Sequence, residues 1–245
     1  MNTQTARLIR AELTLMRRDP LVLTFVFVFP IVTMLIIGGA FGTTPTGAFD
    51  HTNPSHWYVA SYLTVVIGAI GLVMVPVHLA SYRERGVLRR FAVAGFPRWS
   101  FALAELTVGL VTALVACALL LAVAAPVYGL PALHDGWRVA GALALGAVCF
   151  IALGVLLGSV LPSARSAQAV GLVLFFPSFL LGAGGPPPNV MGAAVRAVAR
   201  PLPLTLLTNA VRDPWLGIGH ATTSLVALAA LTVVVAAVAA RRAVL

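Results

Sequence analysis

Arg83-Glu84-Arg85-Gly86-Val87-Leu88-Arg89-Arg90-Phe91, continuing to Arg98, is an island of charge between two long apolar segments. Such an island cannot lie in hydrocarbon, because each arginine at a bilayer centre costs at least ~2.5–3.5 kcal/mol even on lenient insertion scales. It must face water, and the arginines at 83, 85, 89, 90 and 98 place it on the cytoplasmic side.

The composition around it agrees. Of 245 residues, 60% are hydrophobic and 9% charged, with a mean hydropathy of +1.00. A soluble domain carries roughly 25% charged residues, so the chain reads as an all-α polytopic membrane protein. Its net charge of +9 belongs to loops facing anionic headgroups rather than to a nucleic-acid surface. All sixteen basic residues are arginine. A P-loop needs a lysine to reach the nucleotide phosphates, so an ordinary Walker A motif is excluded and any ATP chemistry belongs to another polypeptide. Cys117 and Cys149 lie in apolar segments and read as packing residues, not as a disulfide or metal pair. The apolar run from Leu21 is too long for a signal peptide and reads as a retained first span.

Outward from the island, six spans emerge, at about 21–41, 57–81, 100–125, 139–161, from 167, and 222–240. Before the first, Ala6, Ile9, Leu13 and Met16 recur near helical spacing among Arg7, Arg10, Arg17 and Arg18, which suits an interfacial helix over residues 1–19. Asp19-Pro20 then reads as an N-cap followed by proline at the first helical position. Pro30 lies within span one. The loop 43–56 lacks arginine and reads as external, with His51 and His56 as solvated loop residues. Trp57 and Tyr58 are expected at an aromatic belt, and Gly68 and Gly71 allow close helix contact in span two. His78 and Glu105 fall near the cytoplasmic edge; Glu105 is expected to reach headgroup water or an arginine. Gly154 and Gly158 form a GxxxG pair, which suits tight helix packing and is weak evidence for dimerisation.

After span five the pattern breaks. Gly182-Ala183-Gly184-Gly185-Pro186-Pro187-Pro188 precedes two pieces, about 190–199 and 204–211, too short to cross a bilayer. Irregular apolar backbone at membrane depth is tolerated only where protein or a cavity surrounds it. The region 182–221 therefore reads as short re-entrant helices dipping into the external leaflet, with Arg196, Arg200, Arg212 and Asp213 at that surface. With both termini inside, twelve arginines are cytoplasmic and four external, namely Arg138, Arg196, Arg200 and Arg212. The reversed topology violates the positive-inside rule.

Taken together, residues 1–245 resemble one transmembrane domain of the ABC-2 type transporter permeases, the family that includes the daunorubicin-resistance exporters. Three parts carry the resemblance: the basic N-terminus ending at Arg18-Asp19-Pro20 with Pro30 beyond it, the island at 83–90, and Gly182 to Asp213 with Leu202-Pro203-Leu204-Thr205 and Arg212. The island is similar to the family's E-R-x-G-T-L-x-x-L loop, with Val87 replacing threonine and the glycine one residue early. The resemblance implies a half-transporter in a bacterial inner membrane, both termini cytoplasmic. Two permease protomers, identical or related, would work with two cytosolic ATP-binding cassette subunits that hold the ATP and Mg, no cofactor lying on this chain. Residues 83–98, with Arg83, Glu84, Arg85, Gly86, Leu88, Arg89 and Arg90, would form the coupling helix. Arg7, Arg10, Arg17 and Arg18 would mark the connecting helix at the same interface. Spans one, two and five would line the pathway, and Phe25, Phe29, Phe175, Phe176 and Phe179 on two of them suit an amphipathic or lipophilic cargo. Gly182, Pro186, Pro203 and Arg212 would belong to an external gate.

A polysaccharide or glycolipid export permease fits the same fold. An ion-coupled carrier would need ionisable groups near the midplane, where Glu105 and His78 are the only candidates. A scaffold or intramembrane enzyme finds no paired carboxylates, HExxH or Ser/His/Asp constellation to support chemistry.

Overall fold

The computed structural model describes residues 14, 19–20, 23–87, 90, 93 and 98–243. Arg7, Arg10, Arg17, Arg18, Leu88 and Arg89 lie outside the described residues, and with them most of the N-terminal helix and part of the island. Among the described residues the fold is all-α, without a strand. Six helices are long and apolar enough to cross a membrane: Leu23–Ala40, Gly47–Glu84, Leu103–Tyr128, Gly136–Val160, Ala164–Ala183 and Thr222–Ala239. They are spans one to six. They alternate in direction, so that one end of the bundle carries Arg83, Arg85, Arg90, Arg165 and Arg241 and is called the basic end.

Local chemistry sets the helix ends. The Asp19 carbonyl accepts from the Leu23 N–H at 3.1 Å, which opens span one as the Asp-Pro pair predicts. Span two begins earlier than its hydropathy suggests. Asn53 is its N-cap, its Oδ1 accepting from the Ser55 N–H at 2.9 Å, with Pro54 at the first helical position. Span five opens on a capping box between Ser163 and Ser166. Span three is longer than expected, with its helix running over Arg98–Tyr128 and including Pro126.

Three π turns interrupt the spans, each beside a proline. Leu23–Val28 precedes Pro30, Ile70–Met74 precedes Pro76, and Phe179–Ala183 follows Pro177. Proline lacks an N–H and its ring crowds the carbonyl four residues back. For Pro30 and Pro76 that carbonyl, of Val26 and of Leu72, lies within the π turn, which absorbs the mismatch without breaking the helix.

Span two is the centre of the bundle. Of its most apolar window 89% is buried, against 22% for spans one and six. This corrects the expectation that it lines a pathway between protomers, because its circumference is already covered by this chain. Trp57 and Tyr58 are likewise interior residues, at 2% and 0% exposure, rather than belt residues. The Tyr58 hydroxyl donates to the Gly185 carbonyl.

Glycines make this enclosure possible. A Cβ on Gly71 would lie 2.3 Å from the Phe150 carbonyl oxygen, and one on Gly154 would lie 2.4 Å from the Gly71 oxygen. A Cβ on Gly158 would lie 2.8 Å from that of Leu79, and one on Gly171 would lie 2.1 Å from the Leu72 oxygen. The GxxxG pair of span four is thus used inside the protomer, against span two, not on a free dimerisation face. Lipid tails supply no hydrophobic drive between helices, so close backbone approach of this kind carries much of the association.

Glu105 is 3% exposed, which corrects the expectation that it reaches headgroup water. His78 Nε2 lies 3.4 Å from Asp19 Oδ2, joining the basic ends of spans one and two.

Gly171→Val forces the backbones of spans two and five apart and should destabilise the protein by about 1–3 kcal/mol. Gly141, with nothing within 4 Å of an added Cβ, supplies the control. Thermal unfolding in detergent should show a lowered midpoint for Gly171→Val and an unchanged or slightly raised one for Gly141→Ala.

Candidate functional site

At the basic end, the helix of span two extends through Val75–Glu84, so Arg83 and Glu84 are its last residues rather than loop residues. Gly86 stops it. The Gly86 N–H donates to the Arg83 carbonyl at 3.1 Å, and Gly86 takes φ +67°, the left-handed conformation that glycine adopts most readily at a helix end. The Arg90 N–H then donates to the Gly86 carbonyl at 3.3 Å, and Val87 and Arg90 are both helical. Arg85 and Arg90 are exposed.

Arg83 and Glu84 point to the turn between spans four and five. Arg83 Nη1 donates to the carbonyls of Gly158 at 3.0 Å and Leu161 at 3.2 Å, which close span four. Glu84 Oε2 accepts from the Ala164 N–H at 3.1 Å, the first residue of span five. The cation meets orphan carbonyls at the negative end of one helix dipole, and the anion meets an orphan N–H at the positive end of the next. Two adjacent side chains of opposite sign thereby fasten span two to both neighbours. Sequence reasoning found these residues by their charge but not these partners, which require knowing that the turn at 161–164 lies beside them.

The five phenylalanines proposed for a pathway do come together. Phe29 lies 5.8 Å from Phe175, 5.9 Å from Phe176 and 5.3 Å from Phe179, centroid to centroid. Phe25 packs against Phe29 and Phe176. Edge-to-face pairs dominate, the arrangement the ring quadrupoles favour. Phe175 and Phe179 are buried, whereas Phe176 is exposed on the surface of span five. The cluster joins spans one and five, and Tyr62 of span two extends it inward from Phe179 at 5.9 Å.

At the opposite end, the broken region forms the short helix Ala193–Ala199 and the longer Pro203–Leu216. The second exceeds its expected bounds at both ends because Pro203 occupies the first turn and Gly217, at φ +71°, ends it. At fourteen residues it spans ~21 Å, short of a crossing. It packs among spans two, four and six. Gly182 abuts its start, where a Cβ would lie 2.9 Å from Thr205 Oγ1, while Pro186 is exposed in the connection. The hydroxyls of Thr64 and Thr208, both fully buried, lie 2.8 Å apart and link the helix to span two.

Arg212 was expected at the surface and is instead 4% exposed. Its guanidinium carbon stacks 3.8 Å from the centroid of the Trp57 ring. Its Nη2 donates to Asp213 Oδ1 at 2.8 Å and to Asn209 Oδ1 at 2.9 Å, and its Nε to Asp213 Oδ1 at 3.0 Å. A buried cation is tolerable when partners replace its water, and here a π face, a carboxylate and an amide do so. Burial raises the Asp213 carboxyl above its ordinary range, with Arg212 pulling it back down. The sequence signal available was the adjacent Arg212-Asp213 pair and an aromatic near the same membrane face. Nothing in a linear pattern joins position 57 to 212.

A model of the ABC-2 type transporter family matches residues 3–215, covering spans one to five and the segment after them as far as Trp215. The chain belongs to this family and is the membrane-spanning permease component of an ABC transporter. No curated protein compared with the chain matches it.

Removing one member of the buried pair strands the other. Arg212→Leu should cost on the order of 3–5 kcal/mol, and Asp213→Leu a similar amount. The double variant should lose much less than the sum. Chemical or thermal unfolding of the four proteins forms the cycle, and strict additivity would show that the two groups do not act as a pair.

Proposed function

We propose that this permease moves an amphipathic or lipophilic compound outward across a bacterial inner membrane, driven by ATP hydrolysis on separate cytosolic subunits. Two permease protomers and two ATP-binding subunits form the working complex, with ATP and Mg held by the latter. Both termini and the region 83–98 are cytoplasmic, as the arginine distribution favours. The observation that carries the reading is the fastening of Arg83 and Glu84 to the turn between spans four and five. A motor docked on Arg85, Gly86 and Arg90, with Leu88 and Arg89 in the same segment, pushes on a point already coupled to three spans. The stroke then reaches the membrane as movement of a body rather than bending of one helix.

The aromatic cluster between spans one and five supports an apolar cargo. Its exposed member, Phe176, offers a ring to a molecule arriving laterally from the bilayer, while Phe175 and Phe179 give it a stiff backing. The closely packed segment from Gly182 to Leu216 acts as the external closure.

The test uses the permease assembled with its cognate ATP-binding subunits in proteoliposomes. Glu84→Arg places a cation against the N-terminus of span five, and cargo-stimulated ATP hydrolysis should fall at least about tenfold while the complex still assembles. Glu84→Gln keeps an acceptor for the Ala164 N–H and should retain part of the stimulation. Undiminished coupled transport by Glu84→Arg would overturn the proposal.

A further inference from the structure

We infer that the short helix Ala193–Ala199 lies flat in the outer headgroup layer and that Arg196 and Arg200 together bind the phosphate of a membrane phospholipid. This rests on the external placement of residues 182–221 adopted above.

The geometry begins with the only residue of the helix that is deeply buried, Ala199, at 4% exposure. The helix packs on the Phe179–Ala183 turn of span five. At about 100° per residue, Arg196 and Arg200 project about 60° and 100° to one side of Ala199, and Val195 and Val198 about 40° and 100° to the other. Val195 and Val198 are exposed, as is Val190 just before the helix. A helix whose contact edge faces the protein, with cations on one flank and branched apolar side chains on the other, has the orientation of an interfacial helix. Its arginines reach up to headgroups and its valines down to acyl chains.

The arginine flank is shaped to receive a group. Arg196, Arg200, Ala193 and Ala197 line an open groove of about 200 Å³. Arg196 Nη2 donates to the Met191 carbonyl at 2.9 Å, which fixes the side chain and leaves other donors on its fork. Arg200 is exposed. Two arginines on one groove match a phosphate by charge, and a guanidinium fork can pair with its oxygens in bidentate fashion. A free anion would gain nothing from the valine flank. A phosphate attached to acyl chains satisfies both sides of the helix at once, and that selects a lipid as the occupant. Bound lipid would tie this helix, and through it the Phe179–Ala183 turn, to the membrane surface.

Native mass spectrometry of the full-length permease, titrated with phosphatidylglycerol, tests this. Arg196→Gln/Arg200→Gln should lose one retained lipid, its occupancy falling about tenfold, while Arg241→Gln keeps it. Arg200→Gln alone, at an exposed position, should weaken the same adduct and covers the case in which the double variant folds poorly. Unchanged lipid retention in both would overturn the inference. So would displacement of the lipid by millimolar inorganic phosphate alone, which would mark a free-anion site. Labelling of an Ala194→Cys variant by an impermeant maleimide in intact cells separately tests the leaflet. Labelling only after lysis would overturn the outer-leaflet assignment whatever the lipid titration shows.

Discussion

Everything in this bundle depends on backbone meeting backbone around the middle of span two. Gly71 meets span four at Phe150 and Gly154, and Gly171 of span five meets Leu72 one residue further on. Between lipid-solvated helices the attraction is dispersion and weak polar contact, both of which fall off steeply with separation. A methyl group at any of these crossings would move the axes apart and forfeit the contacts along their length. The same three helices are then fastened at their basic ends by Arg83 and Glu84. Spans two, four and five are thus held at two heights, and two points of attachment resist rotation where one would not. That is the physical reason for regarding them as one body.

What gives way lies beside Pro30 of span one. The π turn at Leu23–Val28 touches the one at Ile70–Met74, but the latter contains Gly71 and Leu72 and is held by the crossings to spans four and five, so the compliant one is that of span one. A π turn and a proline each weaken the regular i to i−4 ladder locally, so bending there disturbs fewer hydrogen bonds than bending elsewhere. Span one carries its π turn in the segment that contributes Phe25 to the aromatic cluster. Flexure of span one would therefore change the packing of Phe25 and Phe29 against span five without unseating the glycine crossings. Rigid body and compliant layer are separated along the chain, which is what a moving membrane component requires.

The spans, the broken segment after Gly182 and the charged island were legible because hydropathy and arginine placement respond directly to the bilayer. Helix ends were less so: Asn53 and Gly86 are local signals, but an apolar window blurs them by several residues. What failed was the distinction between lipid and protein as apolar surroundings. Trp57 and Tyr58 have the composition of belt residues and the positions of core residues, and a hydropathy value is the same for both. Arg212 was misplaced for the converse reason. A cation near a membrane surface is expected to seek water, and only the assembled fold reveals Trp57, Asn209 and Asp213 in its place. The GxxxG pair was read correctly as a contact motif, while its partner could not be read from one helix alone.

The two charged clusters differ in a way that bears on how the ends of the bundle behave. Arg83 and Glu84 are exposed, so each of their bonds to the helix termini is modest singly and the fastening comes from three of them acting on one turn beside the buried glycine crossings. Arg212 is desolvated and Asp213 partly so, and separating Arg212 from Asp213 or from Trp57 leaves its charge in an apolar setting. Separation at the opposite end costs more than at the basic end, because Arg212 would lose its partners where little water can replace them. Any opening there must carry Arg212, Asp213 and Asn209 together on the helix Pro203–Leu216, or admit water to Trp57 first. The fact that all three polar groups sit on that one helix, within four residues, favours their moving as a unit, with the face of Trp57 as the surface they leave.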